Sequence, residues 1–338
     1  MQIDQIKLLR LKNQFLLNPG GAQDVVSGLI GLQAQYGAQA LHALAIRSCG
    51  GFDPDTCVKT WSFRGTLHLH RKSDLPLVLY RGSQTAFGQM AFLSERVEKT
   101  RAEQFRTLIL DAMAERDLSR DQLKALCSAE GLTAAEEEIL FHPWGGVFRA
   151  LAENGEIAYT SDGNRVFTRL KPLTPMEKDE ALRELMRRYV KHYGPVTLRD
   201  AQTFFGMPQR ELKALLEQSA GESVSIGKDT YFYIPDELPE GADMPQALFL
   251  AGFDQLLLGY RKMDNPFLPP EHIKRVYNNT GIVFPTVLLH GRVSATWKRN
   301  GKVLEIRPFG KITAKDKKQI ERKSVDNFGG AGVQWINN

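Results

Sequence analysis

The stretch "TLRDAQTFFGMPQRELKALLEQ", residues 197–218, has the pattern of a helix–turn–helix. Thr197 and Asp200 have the spacing of a capping box, and Gly206 is suited to end the first helix. Pro208 fits the start of a second helix. The strand-like segments "SVSIG" and "TYFYI" follow, joined around Lys228-Asp229. Two helices and a hairpin are the layout of a winged helix, whose second helix can enter a DNA groove.

The same order of elements occurs upstream. Ser119 with Gln122, and Thr133 with Glu136, are capping-box pairs that open two helices. The segments "EIAYT", "SDGN" and "RVFTRL" then read as strand, turn and strand. Near the N-terminus, helices at roughly 3–17 and 24–47 precede the alternating strand "GTLHLHR", so we interpret this region as a third, modified unit.

The sequence therefore predicts an α+β fold with three tandem winged-helix units followed by a C-terminal β-rich domain. The predicted ranges are 1–85 for the first unit, 86–118 for a mainly helical connector, 119–172 for the second unit, 173–240 for the third, and 245–338 for the β-rich domain with its basic tail.

Composition narrows the class of protein. The chain has 338 residues, a net charge of +5 and no uncharged apolar run of membrane-spanning length. Its cysteines, Cys49, Cys57 and Cys127, lack the C-x-x-C spacing, which argues against a disulfide scaffold or a cysteine-rich zinc site and favours a reducing cytoplasm. The positive charge favours an anionic partner without proving one.

A pair of glutamines, Gln33 and Gln35, flanks a single alanine in a segment that otherwise has helical character. On an ideal helix, residues two apart point about 200° away from each other. Glycines at 28, 31 and 37 bracket the pair and weaken the helix. Either the amides belong to an ordinary solvated surface, or the helix ends there and both amides turn toward one place.

Three stretches resemble a known family: "GLQAQ" (31–35), "RGTLHL" (64–69), and "FDQLLLGYR" with "LPPEHIKRVYNNTGIVFPTVLLHGRVSATWKR" within 253–299. Together, and in this order, they are similar to the bacterial AlkZ/YcaQ-like DNA glycosylases. That resemblance implies tandem winged helices and a β-rich domain that form a DNA channel, and it implies excision of alkylated bases without a cofactor. Some members of the family unhook interstrand crosslinks made through purine N7.

The family's catalytic motif is glutamine, an apolar residue, then glutamine or aspartate, and it matches Gln33, Ala34 and Gln35. The resemblance thus implies that both amides face one pocket. An amide can position water but has no useful basicity at neutral pH. We therefore expect the substrates to be N7-alkylated purines, whose positive charge already makes the base a good leaving group.

Two further sets of residues are candidates for DNA contact. Arg64 is expected to contact phosphate, whereas the neighbouring His68 and His70 lack a clear third ligand for a metal. In the hairpin near Arg299, cationic and aromatic side chains are suited to phosphate contact and base stacking. The alternative is an exposed hairpin whose charges only keep the protein soluble. The predicted DNA contacts there and nearby are Arg261, Lys274, Arg275, Arg292, Trp297, Lys298 and Arg299. Asp254 is interpreted as structural.

The predicted protein is a monomeric, cytoplasmic, nucleoid-associated enzyme that acts on double-stranded DNA with alkylated purines and needs no membrane or metal. Two alternatives remain open on the residues alone. One is a non-catalytic winged-helix regulator or architectural DNA-binding protein. The other is a protein-interaction platform, which would have no salt-dependent affinity for DNA.

Overall fold

The computed structural model describes residues 1–86, 97–143, 145–161 and 166–336, which fall into two compact units. One unit consists of Met1–Gly51 with Met186–Asn338, and the other of Phe52–Leu185. The range 1–85, predicted as one winged helix, is therefore divided between the two units after Gly51. None of the helices in the described ranges is long and apolar enough to span a membrane.

The N-terminal part of the first unit contains three helices and three very short strands. They are α1 (Ile3–Asn13), β1 (Gly20–Gly21), α2 (Ala22–Gly28), β2 (Leu32–Gln33), α3 (Gly37–Ala45) and β3 (Ser48–Cys49). Strand β1 pairs in parallel with β3. The prediction of one helix over residues 24–47 is wrong, because the chain leaves helical geometry between α2 and α3.

The unit formed by Phe52–Leu185 is a sheet packed with helices. Its elements are β4 (Cys57–Trp61), β5 (Leu67–Arg71), α4 (Leu75–Val78), α5 (Lys99–Ala112), β6 (Leu118–Ser119), α6 (Arg120–Ala129), α7 (Ala134–Leu140), α8 (Gly146–Glu153), β7 (Ile157–Thr160) and β8 (Val166–Arg169). Its antiparallel strands are ordered β5-β4-β7-β8-β6.

Short sequence motifs predicted the starts of two of these helices correctly. The capping boxes at Ser119 and Thr133 are confirmed, since each hydroxyl accepts a hydrogen bond from the backbone three residues later. The predicted turn over 161–164 lies outside the described residues except for Ser161, and so does the 87–96 part of the predicted connector. In the core, Phe148 stacks on Phe167 with the ring centroids 4.8 Å apart.

The long helix α9 (Lys178–Tyr193) contains the boundary between the two units. The following elements are α10 (Leu198–Phe205), α11 (Gln209–Ser219), β9 (Glu222–Ile226), β10 (Asp229–Tyr233), β11 (Ala247–Leu250), α12 (Gln255–Leu258), α13 (Ile273–Val276), β12 (Thr286–Leu289), β13 (Arg292–Asn300), β14 (Val303–Pro308), α14 (Ala314–Phe328) and β15 (Gly332–Trp335).

The helix–turn–helix pattern is confirmed as two helices, α10 and α11, followed by the antiparallel hairpin β9–β10. Thr197 and Asp200 form the predicted reciprocal cap. The Asp200 carboxylate also lies 3.2 Å from the guanidinium of Arg10 in α1, and both side chains are buried. Arg10 stacks 3.8 Å from the Tyr260 ring centroid. Asp200 therefore both caps α10 and fixes α1 against it.

The C-terminal region is a five-stranded sheet ordered β11-β12-β13-β14-β15, as the strand-rich pattern predicted. Helix α14 covers one face, where Ile320 and Phe328 join Phe249 and Trp297 in a hydrophobic core. Gly301, at φ +60°, and the next residue form the turn between β13 and β14. The predicted hairpin is confirmed.

Candidate active site

The chain leaves helix α2 through a C-terminal cap in front of the two glutamines. The Gly31 N–H donates to the Val26 carbonyl at 2.9 Å, and the Ile30 N–H donates to the Ser27 carbonyl at 3.1 Å. This is the hydrogen-bond pattern of a Schellman motif. Ile30 and Gly31 have φ angles of +56° and +85°. A β-branched residue in this region is strained, so the buried Ile30 must be held there by packing.

The two glutamine side chains meet because the backbone is extended at the motif. The Gln33 Nε2 donates to the Gln35 Oε1 at 2.9 Å. Gln33 is buried and Gln35 is exposed, while Ala34 between them is buried. Within the described ranges, neither amide has another hydrogen bond. The pair thus offers the Gln33 oxygen as an acceptor and the Gln35 amide group as a donor at one place.

Aromatic residues that the sequence analysis missed lie beside the motif. Tyr36 is 53% exposed and stacks on Phe253, with centroids 5.8 Å apart and planes 18° apart. The Phe253 backbone has a φ of +58°, and the Gly252 N–H donates to Gln39 Oε1 at 2.6 Å. The turn at 252–253 therefore holds the start of α3. The only sequence signal was an aromatic residue directly after the motif.

Asp254 has a structural role, as interpreted. Its carboxylate lies 2.6 Å and 3.0 Å from two nitrogens of the Arg47 guanidinium, and both side chains are fully buried. It also accepts the Leu256 N–H at 2.9 Å and so caps α12. The Ala251 N–H donates to the same carboxylate at 3.3 Å, so four donors occupy it and favour a structural role.

Most of the predicted DNA contacts are exposed cations of the first unit. Lys274, Lys298 and Arg299 are exposed, and the Arg299 Nε donates to the Gly301 carbonyl at 3.1 Å. Arg292 pairs with Glu271 at 3.0 Å and Arg261 with Asp264 at 2.7 Å. Arg275 donates to the Phe309 carbonyl at 3.0 Å. Some of these cations already pair with a carboxylate or a carbonyl oxygen, yet their side chains remain accessible to solvent.

Trp297 does not belong with those exposed residues. It is 5% exposed, and its Nε1 donates to the Leu250 carbonyl at 2.9 Å. Its ring packs against Phe328 and Phe249. The predicted DNA contact by Trp297 is therefore corrected: odd and even positions of β13 face opposite sides of the sheet, and this side is covered by α14.

Arg64 lies in the unit formed by Phe52–Leu185, in a turn whose conformation is held by a hydrogen-bond network. The Glu153 carboxylate accepts from the Thr85 backbone at 2.7 Å and from Arg149 at 2.7 Å, and Arg149 reaches the Gly65 carbonyl at 3.3 Å. Arg64 itself is half-buried. This network holds the Arg64-Gly65 turn in a fixed conformation.

The two histidines near this turn are buried and have lowered pKa values. Burial, with the charge of Arg64 and the neighbouring His70, lowers the pKa of His68 well below its usual value. Burial lowers the pKa of His70 to about 4, with Asp74 opposing and Arg64 reinforcing the effect. Among the described residues, no group of three or more metal-ligating side chains comes together. The histidines are thus neutral core residues.

Two amides joined by a hydrogen bond can position a water molecule, and exposed cations such as Lys274, Lys298 and Arg299 attract an anionic polymer. The chain belongs to the AlkZ-like family of DNA glycosylases, which it matches over residues 26–326. It is 27% identical over 367 residues to an interstrand DNA cross-link repair glycosylase of Streptomyces sahachiroi, covering 98% of this chain and 97% of that protein. The family predicted from the sequence is confirmed, and with it the class of enzyme, a DNA glycosylase.

The fold agrees with a solved structure. The Streptomyces sahachiroi DNA glycosylase AlkZ superposes with a TM-score of 0.76 over 100% of both chains, at 24% identity. The mixed α/β architecture is therefore confirmed.

Proposed function

We propose that this glycosylase excises N7-alkylated purines from double-stranded DNA, with Gln33 and Gln35 together positioning the attacking water. The observation that carries the proposal is the 2.9 Å hydrogen bond between the two amides. It restrains both amides and leaves the Gln33 oxygen as an acceptor and the Gln35 amide nitrogen as a donor, two groups that can together hold a water molecule.

The weak chemistry of an amide limits the substrates. When the bond between the sugar C1′ and the base nitrogen breaks, the bonding electrons go to the base, and an N7-alkylated purine leaves as a neutral molecule. Water then adds to C1′ and loses its proton to solvent. An unmodified purine leaves as an anion unless it is protonated first, and neither amide can protonate it. The proposed site has no group that can protonate a purine, and this explains its selectivity for purines that are already cationic.

Crosslinked purines meet the same chemical requirement. A purine joined through N7 to a second purine is also cationic, and the Streptomyces sahachiroi relative carries the name of an interstrand DNA cross-link repair glycosylase. We extend the proposed substrates of this chain to such crosslinks. Because Gln35 is exposed, a bulky crosslinked base can reach it without entering a closed pocket.

Three tandem winged helices are proposed as the DNA-binding frame. The succession of α10, α11 and the hairpin β9–β10 has the order of a winged helix, and so does the succession of α6, α7, α8 and the hairpin β7–β8. The proposed DNA contacts are the half-buried Arg64 and Arg261 and the exposed cations Lys274, Arg275, Arg292, Lys298 and Arg299. We further propose a monomer that acts in the cytoplasm on nucleoid DNA without a metal or cofactor.

A panel of lesions tests this function. Duplexes with N7-methylguanine, a bulky N7 adduct, an N7 crosslink or unmodified guanine are incubated with the wild type, with the Gln33→Ala, Gln35→Ala double variant, and with Gln246→Ala. Gln246 is an exposed glutamine before β11, outside the proposed DNA contacts, and serves as the matched control.

Abasic sites should form on the three cationic substrates with the wild type and the control. The double variant should lose excision by about 10²–10³-fold, because positioning of water is removed. Equal excision of normal guanine, or full activity of the double variant, would refute the proposal. A non-catalytic binder would shift the mobility of every duplex and leave no abasic sites.

A further inference from the structure

An exposed phenylalanine lines two cavities at the C-terminal sheet. Phe284 precedes β12 and is 38% exposed, and its backbone N–H donates to the Val276 carbonyl at 2.9 Å. One cavity has a volume of about 600 Å³, and the other has a volume of about 330 Å³. Phe284 contributes to the lining of both cavities. An exposed aromatic ring at such a position is available to a ligand.

The larger cavity lies along the helix that follows the glutamine motif. Its wall includes Ala38, Gln39 and His42 of α3, a helix that begins two residues after Gln35. His42 is fixed there, because its Nε2 lies 2.7 Å from the Phe249 carbonyl and its ring stacks on Phe328. This wall is thus rigid and contiguous in sequence with the proposed catalytic pair.

The charges around Phe284 are almost all positive. The two cavities are lined by the cations Arg275, Lys298, Arg299 and Arg307 and by one carboxylate, Glu305. Lys298 contributes to both cavities. Within the described ranges, neither Lys298 nor Arg307 forms a salt bridge with a carboxylate. The surface therefore attracts an anion with an aromatic part.

A nucleotide that has left the DNA stack has this chemistry. Its base offers a free π-face, which bases inside a duplex do not, and its phosphate carries the charge that lysine and arginine neutralise. The larger cavity is within the usual volume range of small-ligand sites. We propose that Phe284 stacks on a DNA base displaced from the duplex, while Lys298 binds the adjoining phosphate. This inference rests on DNA being the substrate and does not depend on the chemistry of the glutamines.

Binding to a duplex with one unpaired nucleotide, compared with a fully paired duplex of the same length, tests the proposal. Fluorescence anisotropy at several salt concentrations is recorded for the wild type, Phe284→Ala, Phe284→Tyr and Lys298→Gln. The wild type should prefer the duplex with the unpaired nucleotide. Phe284→Ala should lose at least about fivefold of that preference, whereas Phe284→Tyr keeps it because the ring remains. Lys298→Gln should weaken binding to both duplexes and reduce the salt slope by about one.

Three results would overturn the proposal: equal affinity of the wild type for both duplexes, an unchanged preference in Phe284→Ala, or displacement of the duplex by micromolar free mononucleotide, which would assign the cavity to a soluble nucleotide. Thermal unfolding of each variant confirms that it is folded. The Gln33→Ala, Gln35→Ala double variant should keep the preference even where excision is lost. If it loses the preference, the unpaired nucleotide binds at the glutamines rather than at Phe284.

Discussion

The side chain of Gln33 donates a hydrogen bond to that of Gln35 over 2.9 Å, across one buried alanine. On a continuous helix the two side chains would point about 200° apart, so this contact requires the helix to end first. The cap formed by Ile30 and Gly31 ends it, with both residues at positive φ. The geometry of the proposed site therefore depends on the backbone of two residues outside the glutamine pair.

Substitution of Gly31 tests that dependence. Gly31→Ala places a Cβ on a residue at φ +85° and should lower the free energy of unfolding by about 1 kcal/mol or more. Because the turn sets the direction of Gln33, the excision rate should fall by more than the loss of folded protein accounts for. Gly281→Ala is the matched control, since Gly281 has a φ of +83° in an open turn. Urea unfolding and excision of N7-methylguanine are measured for both variants, and an equal loss of excision in the control would contradict this view.

Removal of the Asp254 carboxylate should affect stability and not the chemical step. Asp254→Asn leaves the Arg47 charge buried without its partner, at a cost of about 3–5 kcal/mol. The folded fraction should keep its single-turnover excision rate. Asp264→Asn removes a partly exposed carboxylate and should change stability by less than about 0.5 kcal/mol. A selective loss of the rate in stable Asp254→Asn would instead give Asp254 a catalytic role.

Acidification should destabilise the protein through buried histidine. The pKa of His70 is about 4 in the folded chain, below the usual 6.5, so the unfolded chain binds a proton first as the pH falls. Stability from this group is full above pH 6.5 and is lost as the pH falls toward 4. Between pH 7 and pH 5 the loss is about 2 kcal/mol. His70→Gln should make urea unfolding less dependent on pH over this interval, and an unchanged dependence would count against a neutral, buried His70.

Arg64 is predicted to contact a DNA phosphate. Arg64→Ala should weaken duplex binding regardless of sequence and reduce the salt slope by about one. Arg81→Ala removes an equal charge from an exposed side chain of the same unit, paired with Glu177, and serves as the control. Anisotropy titrations between low and physiological salt measure both variants. Unchanged affinity of Arg64→Ala would remove this residue from the DNA surface.

Local sequence determined the helices and hairpins. The caps at Ser119, Thr133 and Thr197, the glycine after α10 and the turn at Gly301 are all where the pattern placed them. Each of these signals acts over a few residues, because a side chain satisfies the backbone groups of its own turn. The same short range explains the error over 24–47, where a helical pattern of apolar residues concealed the cap that ends α2.

Only the tertiary structure decided which side chains face which surroundings. Trp297 and Phe284 are both aromatic residues in a strand-rich segment, yet α14 buries the first and leaves the second exposed. Asp254 and Arg47 are 207 positions apart, and their pairing follows from the packing of elements remote in sequence. Burial depends on what covers a face, which no local pattern encodes. For the glutamines, the sequence supplied the residues, and the backbone turn brought their amides together.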